Sequence, residues 1–299
     1  DGAAMHPATV LWDLVSEEDV TVFGTSARYL AGCAKADLVP RETHDLAALR
    51  AVLSTGSPLA PESFDWVYDQ VKDDVQLSSI SGGTDIVSCF ALGNPTLPVR
   101  RGELQCRGLG MDVAVFDDDG RALLGEPGEL VCRRSFPSMP TGFWNDPDGS
   151  RYHDAYFARY PGVWHHGDWC ELRPEGGLVI TGRSDAVLNP GGVRIGTAEI
   201  YRVVAQFDEV IESLATAQDW RGDQRVVLFV HLRDGRDLDD ALRDRIRRRI
   251  RAEATPRHVP AKIVQVPAIP RTISGKITEL AVRRAIHGQD VPNRDALAN

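Results

Sequence analysis

Cysteine is scarce and unpatterned in this chain. The five cysteines, at 33, 89, 106, 132 and 170, are an odd number with no C-x-x-C spacing. That argues against a disulfide framework or a zinc ribbon and fits a reducing compartment, so a cytoplasmic location is expected. Long apolar runs are missing too. Val226-Val227-Leu228-Phe229-Val230 is far too short to span a bilayer, and no membrane partner is expected. With Gly 27 and Pro 18 in 299 residues, collagen-like and low-complexity classes are excluded. The segment Asp1-Gly2-Ala3-Ala4-Met5 shows no basic-then-apolar signal pattern. It does not begin with Met, so the sequence is read as part of a longer one. No H-E-x-x-H, G-x-S-x-G or cysteine–histidine signature occurs, which argues against metalloproteases, serine hydrolases and zinc enzymes.

Positive charge is in deficit, with a net charge of -9. Residues 1–185 carry 15 Lys+Arg against 28 Asp+Glu, whereas residues 186–299 carry 19 against 15. The acidic whole argues against nucleic acid as a partner. The basic C-terminal part is compatible with a site for a phosphorylated small molecule or with a solvated arginine-rich helix; charge alone leaves both open.

What is present is an ordinary globular composition, 42% hydrophobic and 26% charged, long enough for one large core or two smaller ones. Val20–Gly24 reads as a short strand, and Ser26 as the N-cap of a helix to about Ala34. Asp45 is expected to open a helix with Leu46, Leu49, Val52 and Leu53 at helical spacing. It runs into a strand from Leu53 that ends in the turn Gly56-Ser57-Pro58. Pro61 starts a further helix, and Val75–Ile80 is a strand that breaks at Ser81-Gly82-Gly83-Thr84-Asp85. This alternation predicts a mostly parallel α/β layer.

From Gly102 the pattern becomes β-rich. Strands are expected at 113–116, 128–132, 169–172 and 178–182, with a hairpin turn at Asp117–Gly120. A small α+β domain follows, with a helix from Thr197, a strand at 226–232, a long helix at 238–252, a strand at 262–266 and a last helix at 278–287. The long helix puts Leu238, Leu242, Ile246 and Ile250 on one stripe, and acids precede arginines along it, as the helix dipole favours.

Three glycine-rich turns could carry chemistry. Ser81–Asp85 follows a strand and pairs exposed backbone N–H groups with a hydroxyl and a carboxylate. Asn189-Pro190-Gly191-Gly192-Val193-Arg194 puts an arginine beside bare backbone. Pro270–Lys276 ends in Gly-Lys but lacks the first glycine of the Walker pattern, so it is not a P-loop. The adjacent His165 and His166 point to opposite faces of a strand and are assigned structural or solvent-facing roles.

In order, the chain carries Gly56-Ser57-Pro58, Gly82-Gly83-Thr84-Asp85, Gly128-Glu129-Leu130, Gly167-Asp168, Gly182-Arg183-Ser184-Asp185, Gly192-Val193-Arg194-Ile195, Ala198-Glu199-Ile200 and Pro270…Gly275-Lys276. This series resembles the acyl-adenylate-forming (AMP-binding) enzymes: acyl-CoA synthetases, peptide-synthetase adenylation domains and luciferases. Leu53–Leu59, Ser81–Val87 and Gly102–Gly110 are similar to the acetoacetyl-CoA synthetase group within them. The resemblance covers nearly the whole chain.

It implies the α/β adenylate-forming fold: a C-terminal portion of the large domain with a β-rich subdomain over 1–184, then a small α+β domain over 185–299. It implies acetoacetate, ATP and coenzyme A as small-molecule substrates, Mg2+ as activating ion and no tightly bound prosthetic group. By the same resemblance Gly56, Ser57 and Pro58 lie along adenine, Thr84 touches the α-phosphate, and Asp168 and Arg183 hold ribose. Arg194 lies near the phosphates and Lys276 is the catalytic lysine. Asp85 stands where the family has a metal-holding glutamate. Gly82 and Gly83 belong to the acid pocket, where glycine at 82 either leaves room for an acetyl unit or serves a turn needing positive φ. Gly191 and Gly192 form the pantetheine loop, and Arg247 contacts coenzyme A. Asp185 is the hinge about which the small domain exchanges Lys276 for the glycine loop. The family's early Ser/Thr/Gly-rich phosphate loop ending in Lys has no counterpart here. The chain is therefore expected to be a C-terminal portion lacking the N-terminal part of its large domain. The alternatives are an inactive nucleotide-binding fragment, or adenylation of another short acid or for a carrier-protein thiol.

Overall fold

A computed structural model describes residues 9–273, 277–291 and 294–298. The chain divides into two compact units, Asp1–Ile180 and Thr181–Asn299.

The first unit opens with helix α1 (Val10–Glu17) and a parallel sheet in the order β1 (Val22–Ser26), β2 (Ala51–Thr55), β3 (Gln76–Ser79). Phe23, Val52 and Leu77 sit side by side across the three strands and are buried. Between the strands run α2 (Ala27–Lys35), the short α3 (Pro40–Thr43) and α4 (Pro61–Trp66), the last continuing as a π turn over Val67–Val71. Ser26 caps α2 as expected, its hydroxyl accepting from the Tyr29 N–H at 3.2 Å. Pro61 occupies the first turn of α4, where its missing N–H costs nothing.

The helix expected from Asp45 does not form. Leu46 and Leu49 are buried from irregular backbone, and the only helix there is α3. Val52 instead joins Leu53 in β2, which starts two residues before the strand expected from Leu53, because a strand placed between two parallel neighbours satisfies its backbone on both sides. The helical spacing of four apolar residues was split between a loop and a strand.

The rest of this unit is antiparallel. The expected break at Ser81 is itself a strand: β4 (Ser81–Gly83) pairs with β5 (Ser88–Leu92), and β5 with β6 (Cys106–Arg107). A five-stranded sheet has the order β11-β10-β9-β7-β8, built from β7 (Val113–Phe116), β8 (Ala122–Leu123), β9 (Pro127–Cys132), β10 (Trp164–Leu172) and β11 (Leu178–Arg183). Helix α5 (Ser150–Tyr156) precedes β10, and Phe90, Leu130 and Trp164 are fully buried between these elements.

In the second unit α6 (Thr197–Val204) leads to β12 (Val210–Trp220) and β13 (Asp223–Leu232), an antiparallel hairpin. β12 was missed by the sequence reading. Its buried side chains include Ala215 and Ala217, too small to give a strong apolar alternation. The clue was the turn: Arg221 (φ 53) and Gly222 (φ 83) are both left-handed, the geometry of a two-residue hairpin turn. Helix α7 (Asp240–Glu253), strand β14 (Lys262–Gln265), parallel to β13, and helix α8 (Glu279–Ile286) complete the unit. Leu242, Ile246 and Ile250 of α7 are buried on the expected stripe.

The Asp239 carboxylate accepts from the Leu242 N–H at 2.7 Å, capping α7. Asp239→Ala is expected to cost about 1 kcal/mol, read as a lower urea midpoint for the second unit; an unchanged midpoint would contradict the cap's role.

Candidate active site

Open α/β sheets bind ligands beyond the carboxyl ends of their parallel strands. Two of the expected segments lie there. Gly56, Ser57 and Pro58 follow β2 directly and are exposed, with Gly56 at φ 87. β3 runs through Ile80 into the β4–β5 hairpin.

The hairpin is shaped by its glycines. A Cβ on Gly82 would lie 1.9 Å from the Ser88 carbonyl oxygen, and Gly82 is outside the left-handed region. Its lack of a side chain therefore serves the close approach of β5. It is neither a positive-φ turn glycine nor a position with open space at its own Cβ. At Gly83 a Cβ would lie 3.0 Å from Cε1 of His166. Thr84 and Asp85 form the exposed turn, which the Val87 N–H closes onto the Gly83 carbonyl at 3.2 Å. The Asp85 carboxylate accepts a short hydrogen bond from the Tyr156 hydroxyl, and the Tyr156 ring stacks on Trp164 at 3.7 Å between centroids. Among the described residues no group of three His, Cys, Asp or Glu side chains is placed to hold a metal ion.

β10 supplies the opposite wall. Its pairing with β9 shifts register between His165 and Trp169, where Gly167 has φ 81. This bulge re-aims the side chains around it. Asp168 is 8% exposed and accepts from the Ser81 hydroxyl at 3.4 Å. Residues 87 positions apart, Ser81 and Asp168, thus meet at one point. His165 turns away to the buried Glu129, 3.0 Å from its Oε2, and Glu129 also takes Nη1 of Arg159 at 2.5 Å. His166 is turned inward rather than to solvent. Its Nε2 lies 3.3 Å from the Gly82 carbonyl oxygen and 3.7 Å from Oδ2 of Asp168. The available signal was its spacing two residues before Asp168 in one strand.

The second unit carries its own set. Gly191 (φ 62) and Gly192 (φ 77) need the left-handed region that glycine supplies. Their loop is closed by a bridge between Leu188 and Ile195, with N–H to carbonyl distances of 3.0 and 2.9 Å. The Gly191 N–H donates to the Asp223 carboxylate at 3.1 Å, and the Asn189 N–H to the Gln224 side chain at 3.2 Å. A groove of about 550 Å3 lies beside this loop, lined among others by Asn189, Gly192, Trp220 and Asp223. Arg225 stacks its guanidinium 3.7 Å from the Trp220 ring. Sequence reasoning overlooked Trp220 and Asp223, because they belong to the missed hairpin.

Arg194 is exposed on the same loop. Arg183 pairs with Asp185 at 3.8 Å, and both are exposed. Close by, burial pushes the Glu279 carboxyl up, although the Tyr201 hydroxyl donates to it at 3.0 Å. Arg247 donates to the Pro260 carbonyl at 3.3 Å and pairs with Asp244 at 3.5 Å. Arg245 and Arg249 pair with Glu209 and Glu253, each at 2.8 Å. Lys276 lies outside the described residues.

The strand-end loop and the glycine hairpin fall inside the first of two family matches. The AMP-binding enzyme family matches residues 1–144, and the AMP-binding enzyme C-terminal domain matches residues 199–276. The chain belongs to the AMP-binding enzymes.

It is 60% identical over its full length to the acetoacetyl-coenzyme A synthetase of Rhizobium meliloti (strain 1021) and spans 46% of that protein. To the acetoacetyl-CoA synthetase of Xenopus tropicalis it is 49% identical, spanning 45% of it. The chain thus covers about half the length of these relatives. A solved acetoacetyl-CoA synthetase from Streptomyces lividans superposes with a TM-score of 0.90 at 46% identity, covering 98% of this chain and 45% of that one. An anthranilate CoA ligase at 21% identity and a TM-score of 0.77, covering 93% of this chain and 52% of that one, shares the fold. The expected adenylate-forming fold is therefore the observed one. No helix among the described residues is long and apolar enough to cross a membrane.

Two outcomes follow from these contacts. Gly82→Ala drives a Cβ into the backbone of β5 and is expected to cost about 1–3 kcal/mol, whereas Gly24→Ala, with nothing within 4 Å of the added carbon, is the tolerated control. Equal denaturation midpoints for the two variants would contradict the close approach. In the second unit a hydrogen bond from His258 holds the Glu199 carboxyl below its usual range. A depressed carboxyl stabilises above its unfolded pKa and loses that contribution as pH falls through its folded pKa. The stability difference between wild type and Glu199→Gln should therefore shrink on acidification below about pH 4. A difference constant from pH 7 to pH 3 would refute the assignment.

Proposed function

We propose that this chain serves an AMP-forming acid–thiol ligase that activates acetoacetate with ATP and passes it to coenzyme A. The observation that carries this reading is the 60% identity, along the whole chain, to an acetoacetyl-coenzyme A synthetase. A carboxylate is a poor electrophile, so the acid must first acquire a leaving group. The acetoacetate oxygen attacks the α-phosphorus of ATP, the bond to the β-phosphate oxygen breaks and pyrophosphate leaves. The thiol sulfur of coenzyme A then attacks the acyl carbon, losing its proton, and AMP leaves.

On this reading Gly56, Ser57 and Pro58 border adenine, and Thr84 donates to the α-phosphate. Asp168, oriented in part by Ser81, accepts from the ribose hydroxyls. The backbone of Gly82 and Gly83 lines the acid pocket. Mg2+ is commonly held by one or two carboxylates together with substrate phosphates and water. The exposed carboxylate of Asp85 suits that role, with the Tyr156 hydroxyl as its orienting donor. Arg183 and Arg194 serve ribose and phosphate, and Lys276 neutralises charge on the transferring groups. Gly191 and Gly192, pinned by Asp223, receive pantetheine along the adjoining groove, and Arg247 contributes charge towards the phosphates of coenzyme A. Movement about Asp185 exchanges Lys276 for the glycine loop between the two steps.

A second reading is nucleotide binding without turnover. The deciding experiment measures both half-reactions in the protein that carries this chain. Acetoacetate-dependent ATP–pyrophosphate exchange is expected, and Lys276→Ala should lower it by about 10²–10³-fold while pre-made acetoacetyl-adenylate still reacts with coenzyme A. Nucleotide binding with no exchange in the wild type would favour the second reading. Equal loss in both half-reactions of Lys276→Ala would overturn the exchange of lysine and glycine loop.

A further inference from the structure

The neighbours of His166 fix which of its nitrogens carries the proton. Nδ1 faces the indole Nε1 of Trp164 at 3.5 Å, and an indole N–H only donates. Nε2 faces two acceptors, the Gly82 carbonyl oxygen at 3.3 Å and Oδ2 of Asp168 at 3.7 Å. The imidazole is therefore the tautomer with its proton on Nε2, and that N–H donates to the Gly82 carbonyl of the pocket strand, with the buried Asp168 carboxylate just beyond hydrogen-bond distance. The ring is wedged in place. Its side chain is 8% exposed, Phe90 meets it edge-on at 4.7 Å, and its Cε1 fills the space a side chain at Gly83 would take.

We propose that His166 is the positioning residue of the site: one imidazole holds the Gly82–Gly83 backbone and orients the Asp168 carboxylate towards the ribose hydroxyls. The inference rests on the adenylate reading above and adds a coupling to it. The acid pocket and the ribose contact meet at one wedged imidazole, hydrogen-bonded to Gly82 and 3.7 Å from the Asp168 carboxylate, so disturbing His166 should alter ribose recognition without any direct contact between His166 and ribose.

The test compares AMP with 2′,3′-dideoxy-AMP, which lacks the hydroxyls that Asp168 would receive. Binding of each is measured by calorimetry on the whole protein that carries this chain, for the wild type, His166→Phe, His166→Gln and His166→Asn, with thermal denaturation of each. Phe keeps the ring volume and loses the N–H. Gln places an amide N–H near the Nε2 position, whereas the amide of Asn reaches only towards Nδ1. The wild type is expected to prefer AMP. That preference should fall about tenfold in His166→Phe and His166→Asn and return to within about threefold in His166→Gln, as the loss of one neutral hydrogen bond would give. Should His166→Phe fail to fold, the Gln-to-Asn comparison carries the test alone. An equal AMP preference in Gln and Asn, or an unchanged one in a folded Phe variant, overturns the proposal and leaves the adenylate reading standing. A wild-type protein that binds neither nucleotide overturns both.

Discussion

At Gly82 the backbone of β4 passes so close to β5 that an added Cβ would sit 1.9 Å from the Ser88 carbonyl oxygen. That approach lets the chain reverse immediately beyond the parallel sheet. Without it Thr84 and Asp85 would not stand in a tight turn, and Ser81 would not reach Asp168. The neighbouring glycine is constrained from the other side, by the imidazole of His166 rather than by backbone. Two consecutive residues thus lack side chains for two different reasons. Each vacated volume is filled by another part of the same site.

The bulge in β10 has the complementary role. Regular alternation would put residues 165 and 167 on one face and 166 and 168 on the other along a continuous ladder. The register shift and the left-handed Gly167 interrupt that ladder, and His166 and Asp168 still both lie near the hairpin. His165 meanwhile joins the buried ion group of Glu129 and Arg159, where a carboxylate with 1% exposure has two cationic or hydrogen-bonding partners. A buried charge so paired avoids the several-kcal/mol penalty of an isolated one.

In the second unit the positive balance is spread rather than concentrated. Along α7, Arg243, Arg245, Arg247 and Arg249 each meet an acid, so much of the helix's charge is met locally at the surface. Such exposed pairs contribute little stability, about 0–1 kcal/mol each, and leave the arginines free to exchange partners. The more specific arrangement is the glycine loop. Asp223 holds its backbone through the Gly191 N–H, and the hairpin turn that carries Asp223 also presents Trp220 and Arg225 beside the groove.

Local chemistry alone determined several elements. Ser26, Pro61 and Asp239 begin helices because their side chains or fixed φ act within one turn of chain. The ordered motifs likewise disclosed the adenylate-forming fold, since their residue types and order are carried by the sequence itself. Tertiary structure decided what local pattern could not. Val52 became strand because two neighbours were available to pair with it, and β12 formed although small side chains hid its alternation. His166 fits into the site because a distant glycine, Gly83, leaves room for its ring. Capping and turn formation depend on atoms a few residues apart, whereas strand pairing and the filling of a vacated Cβ position depend on segments that meet only after the chain has folded.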